Sequence, residues 1–206
     1  MAMRVRRLAM LLSGLEPHPY NSIELEQYSI DGDLAARWIT DIAAFGDLSE
    51  GCSIADLGAG NGILGLGALV MGAGRAILVE ADQEACDVAK SNADSMGFAD
   101  STEVIQATLG SDLVNFNSAD VVISNPPWGR QTPRADRPFL EAMIAAAVPT
   151  HLLHSAEATH IQTLFEDAGW SAERYGEADF SLPAKFTHHS RERGKTRAAF
   201  WRLTPT

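Results

Sequence analysis

The chain has 206 residues, of which 46% are hydrophobic, 21% charged and 7% aromatic. These values exclude disordered, collagen-like and low-complexity classes, and the length predicts one domain over residues 1–206. The only two cysteines, Cys52 and Cys86, form no paired spacing. A zinc knuckle and a disulfide framework are therefore excluded, and a reducing, cytoplasmic compartment is expected.

The net charge of −11 at first argues against a nucleic-acid partner, because contacts to phosphate need Lys and Arg. The bases, however, are clustered. Residues 1–8 hold three arginines, residues 128–138 three arginines and one aspartate, and residues 185–202 six bases and one glutamate. Such basic segments on an acidic chain leave RNA as a candidate partner without establishing it.

The N-terminal segment, residues 1–22, is predicted to be a helical extension. Its arginines followed by a short apolar run imitate a secretory signal, but no small-residue cleavage site follows before Glu16 and Pro17. An amphipathic helix is therefore favoured. No membrane partner is expected, because the longest apolar stretch, residues 63–79, is interrupted by glycines and Arg75.

Hydrophobic periodicity predicts an alternation of strands and helices. An extended segment is expected at 23–28, helices at 34–45, 62–72, 82–96, 136–147 and 156–168, and strands at 53–57, 76–80, 102–106, 120–124 and 150–153. This succession predicts an α/β fold with helices on both faces of a mostly parallel sheet. Two further strands, at 170–180 and 197–203, complete seven strands as a C-terminal antiparallel hairpin around a basic loop at 181–196.

The first predicted strand runs into a glycine-rich turn, Asp56-Leu57-Gly58-Ala59-Gly60-Asn61-Gly62. Glycines let the backbone turn sharply and approach a ligand closely. Glu80 ends the second strand, where its carboxylate can accept both hydroxyls of a ribose. These two features predict a nucleoside-containing cofactor.

The turn also satisfies the dinucleotide pattern G-x-G-x-x-G, so a nicotinamide dehydrogenase is an alternative. Asp56 favours S-adenosylmethionine instead. An acid directly before the turn repels a pyrophosphate, whereas it suits the sulfonium-bearing methionine half of S-adenosylmethionine.

The fourth strand runs into Asn125-Pro126-Pro127-Trp128. The two prolines fix the backbone, so the Asn125 side chain and the Pro126 carbonyl can point into one cleft. Accepting both N–H groups of a conjugated amine lets its nitrogen rehybridise toward a methyl sulfonium, while Trp128 stacks on the flat group. Catalysis then depends on orientation and on hydrogen bonding in the transition state. The alternative interpretation of the motif is a rigid turn with a core tryptophan and no catalytic role.

Together the glycine turn and Asn125-Pro126-Pro127-Trp128 resemble Rossmann-like methyltransferases that modify planar nitrogens. The sequence is similar over nearly its whole length to the methyltransferase-like protein 5 family. Three further segments carry this closer resemblance, which are Leu25-Glu26-Gln27-Tyr28, Ala35-Ala36-Arg37 and Leu182-Pro183-Ala184. Eukaryotic members of that family methylate adenine N6 in small-subunit ribosomal RNA, and they rely on a small activator subunit.

The resemblance also implies cofactor contacts, which are Gln27, Ile30, Gly58, Asn61, Ile63, Glu80, Thr108 and Leu109. At four positions the family usually has a different residue. It has Thr where this sequence has Ile30, Asp where it has Glu80 and Thr108, and Phe where it has Trp128. Thr108 lacks the acidic acceptor for the cofactor's adenine amine, and Asp112 substitutes only if its loop bends back.

The basic segments supply the predicted RNA contacts, because guanidinium groups hold phosphates and rings stack on bases. These residues are Arg4, Arg6, Arg7, Arg130, Arg134, His188, His189, Arg191, Arg193 and Lys195. His151, His154 and His160 show no matching acid or cysteine spacing, so no metal is expected. Trp38 and Trp170 are expected in the core.

The resulting hypothesis is an S-adenosylmethionine-dependent methyltransferase acting on adenine N6 in ribosomal RNA, as a monomer or with a small activator subunit. Glutamine N5 methylation of a translation factor is an alternative, because that amide is also a planar NH₂ group. A cofactor-binding assembly factor without turnover is a second alternative, although such a protein has less reason to retain Asn125.

Overall fold

The computed structural model describes residues 5–19, 30–129, 132–181 and 195–206. Within them, seven strands form a mixed sheet in the order β3-β2-β1-β4-β5-β7-β6. The strands are β1 Ser53–Leu57, β2 Arg75–Glu80, β3 Thr102–Gln106, β4 Val121–Ser124, β5 Thr150–Ser155, β6 Trp170–Ser181 and β7 Lys195–Pro205. Neighbours from β3 to β5 are parallel, whereas β7 pairs antiparallel with both β5 and β6. The predicted fold class is confirmed.

In the same described ranges, six α-helices connect or flank these strands. They are α1 Val5–Leu12, α2 Gly32–Ala44, α3 Ile63–Val70, α4 Gln83–Ser95, α5 Arg137–Ala146 and α6 His160–Asp167, and a short 3₁₀ helix, Ala99–Ser101, precedes β3. Aspartates begin two of the helices, since the Asp31 side chain accepts a hydrogen bond from Leu34 N and the Asp82 side chain accepts from Glu84 N and Ala85 N. Such N-caps satisfy backbone N–H groups that lack helical partners.

Successive side chains of the central strands point to opposite faces of the sheet, so the core forms two layers. Ile54 packs in the layer beneath α1 to α4, whereas Ala55 and Leu57 pack in the layer beneath α5 and α6. Trp38 and Trp170 are 0% and 6% exposed, so both are core residues as expected. Helices therefore cover both faces, which the buried parallel strands require.

The sheet order places three strand ends side by side. β1 lies between β2 and β4, with Leu57 paired to Val79 on one side and to Ser124 on the other. Ligands in open parallel sheets bind beyond the carboxyl ends of the strands, at the point where the strand order reverses. That point lies between β1 and β4 in this sheet.

The predicted boundaries hold within a residue or two for most elements, but α6 begins at His160 rather than at residue 156. The Ala156 N–H donates to Arg197 O in β7, and the Glu157 N–H donates to Ser155 Oγ, so this segment is a turn. The extended segment expected at 23–28 lies outside the described residues. No helix in the described part of the chain is long and apolar enough to cross a membrane.

Candidate functional site

The glycine turn adopts backbone angles that favour glycine at three positions. Gly58, Gly60 and Gly62 have φ values of +74°, +54° and +84°, a region that costs most other residues about 1 kcal/mol or more. The N–H groups of Gly58 and Ala59 both donate to Val79 O, at 2.8 and 3.0 Å. The turn is therefore fixed against the end of β2.

The Glu80 carboxylate ties the turn to the start of α4. Its Oε2 accepts from Gly60 N at 2.8 Å, and its Oε1 accepts from Ala81 N at 2.8 Å and Asp82 N at 3.0 Å. The same residue lines the cavity described below. A carboxylate oxygen can accept more than one hydrogen bond, so Glu80 can hold this loop and still accept from a ligand hydroxyl.

Asp56 lies elsewhere than the sequence analysis places it. Its side chain is fully buried beneath α3, where Oδ2 accepts from Gly65 N at 3.0 Å, and it does not line the cavity. Its Oδ1 has no hydrogen-bond partner among the described residues. Because β1 is pleated, Asp56 faces the same layer as Ile54. It therefore holds the first turn of α3, which follows the glycine turn, instead of lining the cavity.

Burial raises the pKa of Asp56 to about 7. The folded state therefore holds a proton that the unfolded state releases above its ordinary pKa near 3.8. The free energy of unfolding must then fall as the pH rises from about 4 to about 7, by at most ~1.4 kcal/mol per pH unit from this group.

Replacing Asp56 by Asn removes the titrating group. We therefore expect the free energy of unfolding of Asp56→Asn to change less between pH 4 and pH 7 than that of the parent. Urea denaturation of both proteins at pH 5 and pH 7.5 measures it. The variant's stability relative to the parent should improve at the higher pH. An identical change in both proteins between the two pH values would show that Asp56 is already ionised at pH 5.

A cavity of about 320 Å³ opens above these strand ends, within the ~300–1,000 Å³ range typical of small-molecule sites. Many of its lining residues are those that the sequence analysis assigned to a cofactor. They are Ile30, Gly58, Gly60, Asn61, Ile63, Glu80, Thr108 and Leu109, together with Asn125 and Pro127 of the proposed catalytic motif. Gln27 lies outside the described residues.

The loop after β3 does bend back. Asp112 Oδ2 accepts from Thr108 N at 2.7 Å, and the Asp112 N–H donates to Thr108 O at 2.9 Å. Thr108 lines the cavity, whereas Asp112 does not. The carboxylate thus fixes the backbone that carries Thr108 and Leu109, so its role here is to hold the loop.

The proposed catalytic motif follows β4 directly. Ser124 Oγ donates to Leu57 O at 2.6 Å, which fixes the end of β4 against β1. A Cβ atom placed on Gly58 would lie 4.0 Å from Asn125 O and 3.1 Å from the Phe139 ring. The glycine turn and the motif therefore approach each other closely, on two sides of one cavity.

Trp128 differs from its expected position. Its ring is only 6% exposed and stacks on His154 with the ring centroids 6.1 Å apart, and it does not line the cavity. Pro126 is also buried. Phe139, which the sequence analysis did not select, contributes an aromatic ring to the cavity beside Gly58. Its place in a predicted helix gave no signal of this.

The segment after α1 also contributes to the cavity, and the sequence did not predict it. Asn92, 3% exposed, accepts from Glu16 N at 2.8 Å and donates to Glu16 O and Asn61 O at 3.1 and 3.0 Å. Asn61 Nδ2 donates to Glu16 O at 2.9 Å. His18 then lines the cavity near Gly60. No local pattern links residues 76 positions apart.

The predicted RNA contacts are only partly described. Arg6 and Arg7 lie exposed on α1, and Arg134 is exposed before α5 with a left-handed backbone, φ +65°. Lys195 begins β7. The remaining candidates, which are Arg4, Arg130, His188, His189, Arg191 and Arg193, lie outside the described residues.

The histidines without matching spacing in the sequence do have acidic partners in the fold. His151 Nε2 lies 2.9 Å from Asp47 Oδ2, and Arg202 donates to both oxygens of the same carboxylate. Burial lowers the pKa of His151 to about 4, so this ring is neutral near pH 7. Asp136 Oδ2 lies 3.2 Å from His154 Nε2 and 2.6 Å from His160 Nε2.

Comparisons with known proteins agree with this geometry. The Methyltransferase small domain family matches residues 44–160. The rRNA N(6)-adenosine-methyltransferase METTL5 of Danio rerio is 29% identical, covering 99% of this chain and 100% of its own. An uncharacterised protein of Methanocaldococcus jannaschii is 34% identical, covering 91% of this chain and 88% of its own.

A crystal structure of a Pyrococcus horikoshii protein, designated a candidate RNA methyltransferase, matches with a TM-score of 0.87 at 30% identity, and the match covers 100% of both chains. The resemblance to the methyltransferase-like protein 5 family extends over the full chain, which confirms that prediction. Because this family matches more than half of its length, the chain belongs to the methyltransferase small domain family.

Proposed function

We propose that this protein is an S-adenosylmethionine-dependent methyltransferase that modifies adenine N6 in small-subunit ribosomal RNA. The observation that carries the proposal is the shared cavity, since the glycine turn, Glu80 and Asn125 line one space. Full-length similarity to rRNA adenosine methyltransferases supports the substrate class. We take residues 1–206 as one methyltransferase domain acting in the cytoplasm.

The residues of the cavity fit the parts of this cofactor. Glu80 can accept from a ribose hydroxyl at its remaining acceptor site, while Thr108 and Leu109 can flank the adenine ring. Gly58 and Gly60 leave room for the methionine half, because a Cβ at either position would lie 3.1 or 3.3 Å from Phe139 or His18. When bound, S-adenosylmethionine supplies an electrophilic methyl group.

Asn125 would carry the chemistry on the protein's side. Its amide oxygen, with the Pro126 carbonyl, would accept the N–H hydrogens of the adenine amine and free the nitrogen lone pair from the ring. The two prolines reduce the freedom of this loop before the substrate binds. No base is needed before attack, because the nitrogen becomes acidic once it is alkylated. The target base has to be unpaired or flipped to enter.

The partners are proposed from the chain's surface and its relatives. Arg6, Arg7 and Arg134 are exposed and can contact RNA phosphate. A small activator subunit is proposed as a second partner, because Leu113 is fully exposed near β3, which is an edge strand of the sheet in the described residues. Covering an unpaired strand edge and an exposed leucine is a common use of a partner chain.

Mass spectrometry of ribosomal nucleosides from a deletion strain tests the function. We expect N6-methyladenosine to disappear from one small-subunit oligonucleotide, and to return with the parent gene but not with Asn125→Ala. Unchanged N6-methyladenosine with loss of methylglutamine from a translation factor would assign the amide as the substrate instead. Unchanged levels of both would contradict the proposed methyl transfer.

A further inference from the structure

A second cluster of ligand-type side chains lies behind the catalytic motif. Asp136 precedes α5, His154 lies in β5, and His160 is the first residue of α6. Their side-chain donor atoms all lie within 4.8 Å of one another. None of the three lines the cavity, so the cluster is separate from the proposed cofactor site.

Both histidines present the same atom to the same oxygen. His154 Nε2 and His160 Nε2 lie 3.2 and 2.6 Å from Asp136 Oδ2, and the two rings are nearly perpendicular at 86°. Two imidazole nitrogens and one carboxylate oxygen are the donor set of many zinc sites with an open position. The two rings thus bring their nitrogens to the same carboxylate oxygen from different directions, which leaves three ligand atoms grouped together.

The spacing is close to that of a zinc site. Donor atoms around a tetrahedral ion with bonds of about 2.0–2.1 Å lie about 3.3 Å apart. The His154 distance of 3.2 Å already fits. The His160 distance of 2.6 Å must open by less than about 1 Å. The His160 side chain is 52% exposed at the start of a helix, so it has room to move outward.

Burial and charge also favour a cation. The Asp136 and His154 side chains are 7% and 1% exposed, whereas His160 leaves one side open to solvent. Within the described part of the chain, the Asp136 carboxylate contacts these two imidazole rings and no Lys or Arg side chain. A buried carboxylate needs compensating charge, and water can reach the open side as a further ligand.

We propose that Asp136, His154 and His160 form a binding site for a divalent transition-metal ion of the zinc type. The ion would join the start of α5, the end of β5 and the start of α6 directly behind Trp128, which stacks on His154. The proposal does not depend on the reaction or on the substrate of the cavity.

Metal binding to the untagged full chain tests the site, with Zn²⁺ and Co²⁺ as probes. After dialysis we expect about one equivalent of Zn²⁺ to remain on the parent protein, and Co²⁺ to give visible ligand-field absorption. His160→Ala and Asp136→Asn should each weaken Zn²⁺ binding by more than about tenfold, because each removes a ligand. Isothermal titration calorimetry measures the change.

Two controls separate this site from adventitious binding. The first control, Asp167→Asn, changes an exposed aspartate on the same helix as His160. The second is the double variant His188→Ala/His189→Ala, which removes two consecutive histidines elsewhere in the sequence. Both should bind Zn²⁺ like the parent. Metal-free His160→Ala should melt below the metal-free parent, because the buried Asp136 carboxylate loses one hydrogen-bond partner; the Zn²⁺ titrations are therefore made at a temperature at which both proteins are folded. Absence of bound Zn²⁺, or equal binding by His160→Ala, would overturn the proposal.

Discussion

Methyl transfer by Asn125→Ala should fall by about 10²- to 10³-fold, while the affinity for S-adenosylhomocysteine stays within a few-fold of the parent. The alanine removes the amide that accepts from the target amine, an interaction that strengthens only as the nitrogen rehybridises. Losing one such preorganised transition-state hydrogen bond typically costs this much. The glycine turn and Glu80 are untouched, so cofactor binding should persist.

Single-turnover methylation of an RNA oligonucleotide and calorimetric titration with S-adenosylhomocysteine measure the two effects separately. Gln162→Ala is the matched control, because Gln162 carries an exposed side-chain amide on α6 and does not line the cavity. It should methylate like the parent. Equal losses of transfer and of S-adenosylhomocysteine affinity in Asn125→Ala would mean that Asn125 holds the cofactor and not the substrate.

The strand-end geometry was predictable because it depends on local signals. Short apolar runs bounded by turns mark β1, β2 and β4, and the glycine turn and the Asn-Pro-Pro-Trp motif follow two of them directly. Since parallel strands end at one edge of the sheet, sequence alone placed Gly58, Glu80 and Asn125 near each other. The cavity they line agrees with that prediction.

Side-chain direction was harder to predict. Asp56 was expected at the ligand because it adjoins the turn, yet it is fully buried beneath α3. Strand alternation held the missing information, because Ile54 and Asp56 share one face and Leu57 points to the other. Trp128 illustrates a different limit, since its stacking on His154 joins residues from separate elements.

Contacts between distant segments could not be read from spacing. Asn92 holds Glu16 beside Asn61, and Asp136 meets His154 and His160 only once α5, β5 and α6 have packed. Hydrogen bonds of this kind are specified by tertiary packing, so a single sequence shows the donors without their partners. The same reason explains why His18 and Phe139 were missed.

Glu80→Ala should weaken S-adenosylhomocysteine binding by about 100-fold or more. The carboxylate would lose its hydrogen bond to a ribose hydroxyl, which is worth about 1.5–3 kcal/mol when one partner is charged. It would also release Gly60 N, Ala81 N and Asp82 N, which Glu80 now holds. The turn should then lose its fixed shape as well as its ligand.

Glu80→Gln separates these two contributions. The amide keeps one acceptor oxygen but no charge, so its loss of affinity should be smaller than that of Glu80→Ala. Glu84→Ala, an exposed acid on the first turn of α4, is the matched control and should bind like the parent. Parent-like affinity of Glu80→Ala in the same titration would place the ribose elsewhere, because a ligand held by this carboxylate cannot tolerate its removal.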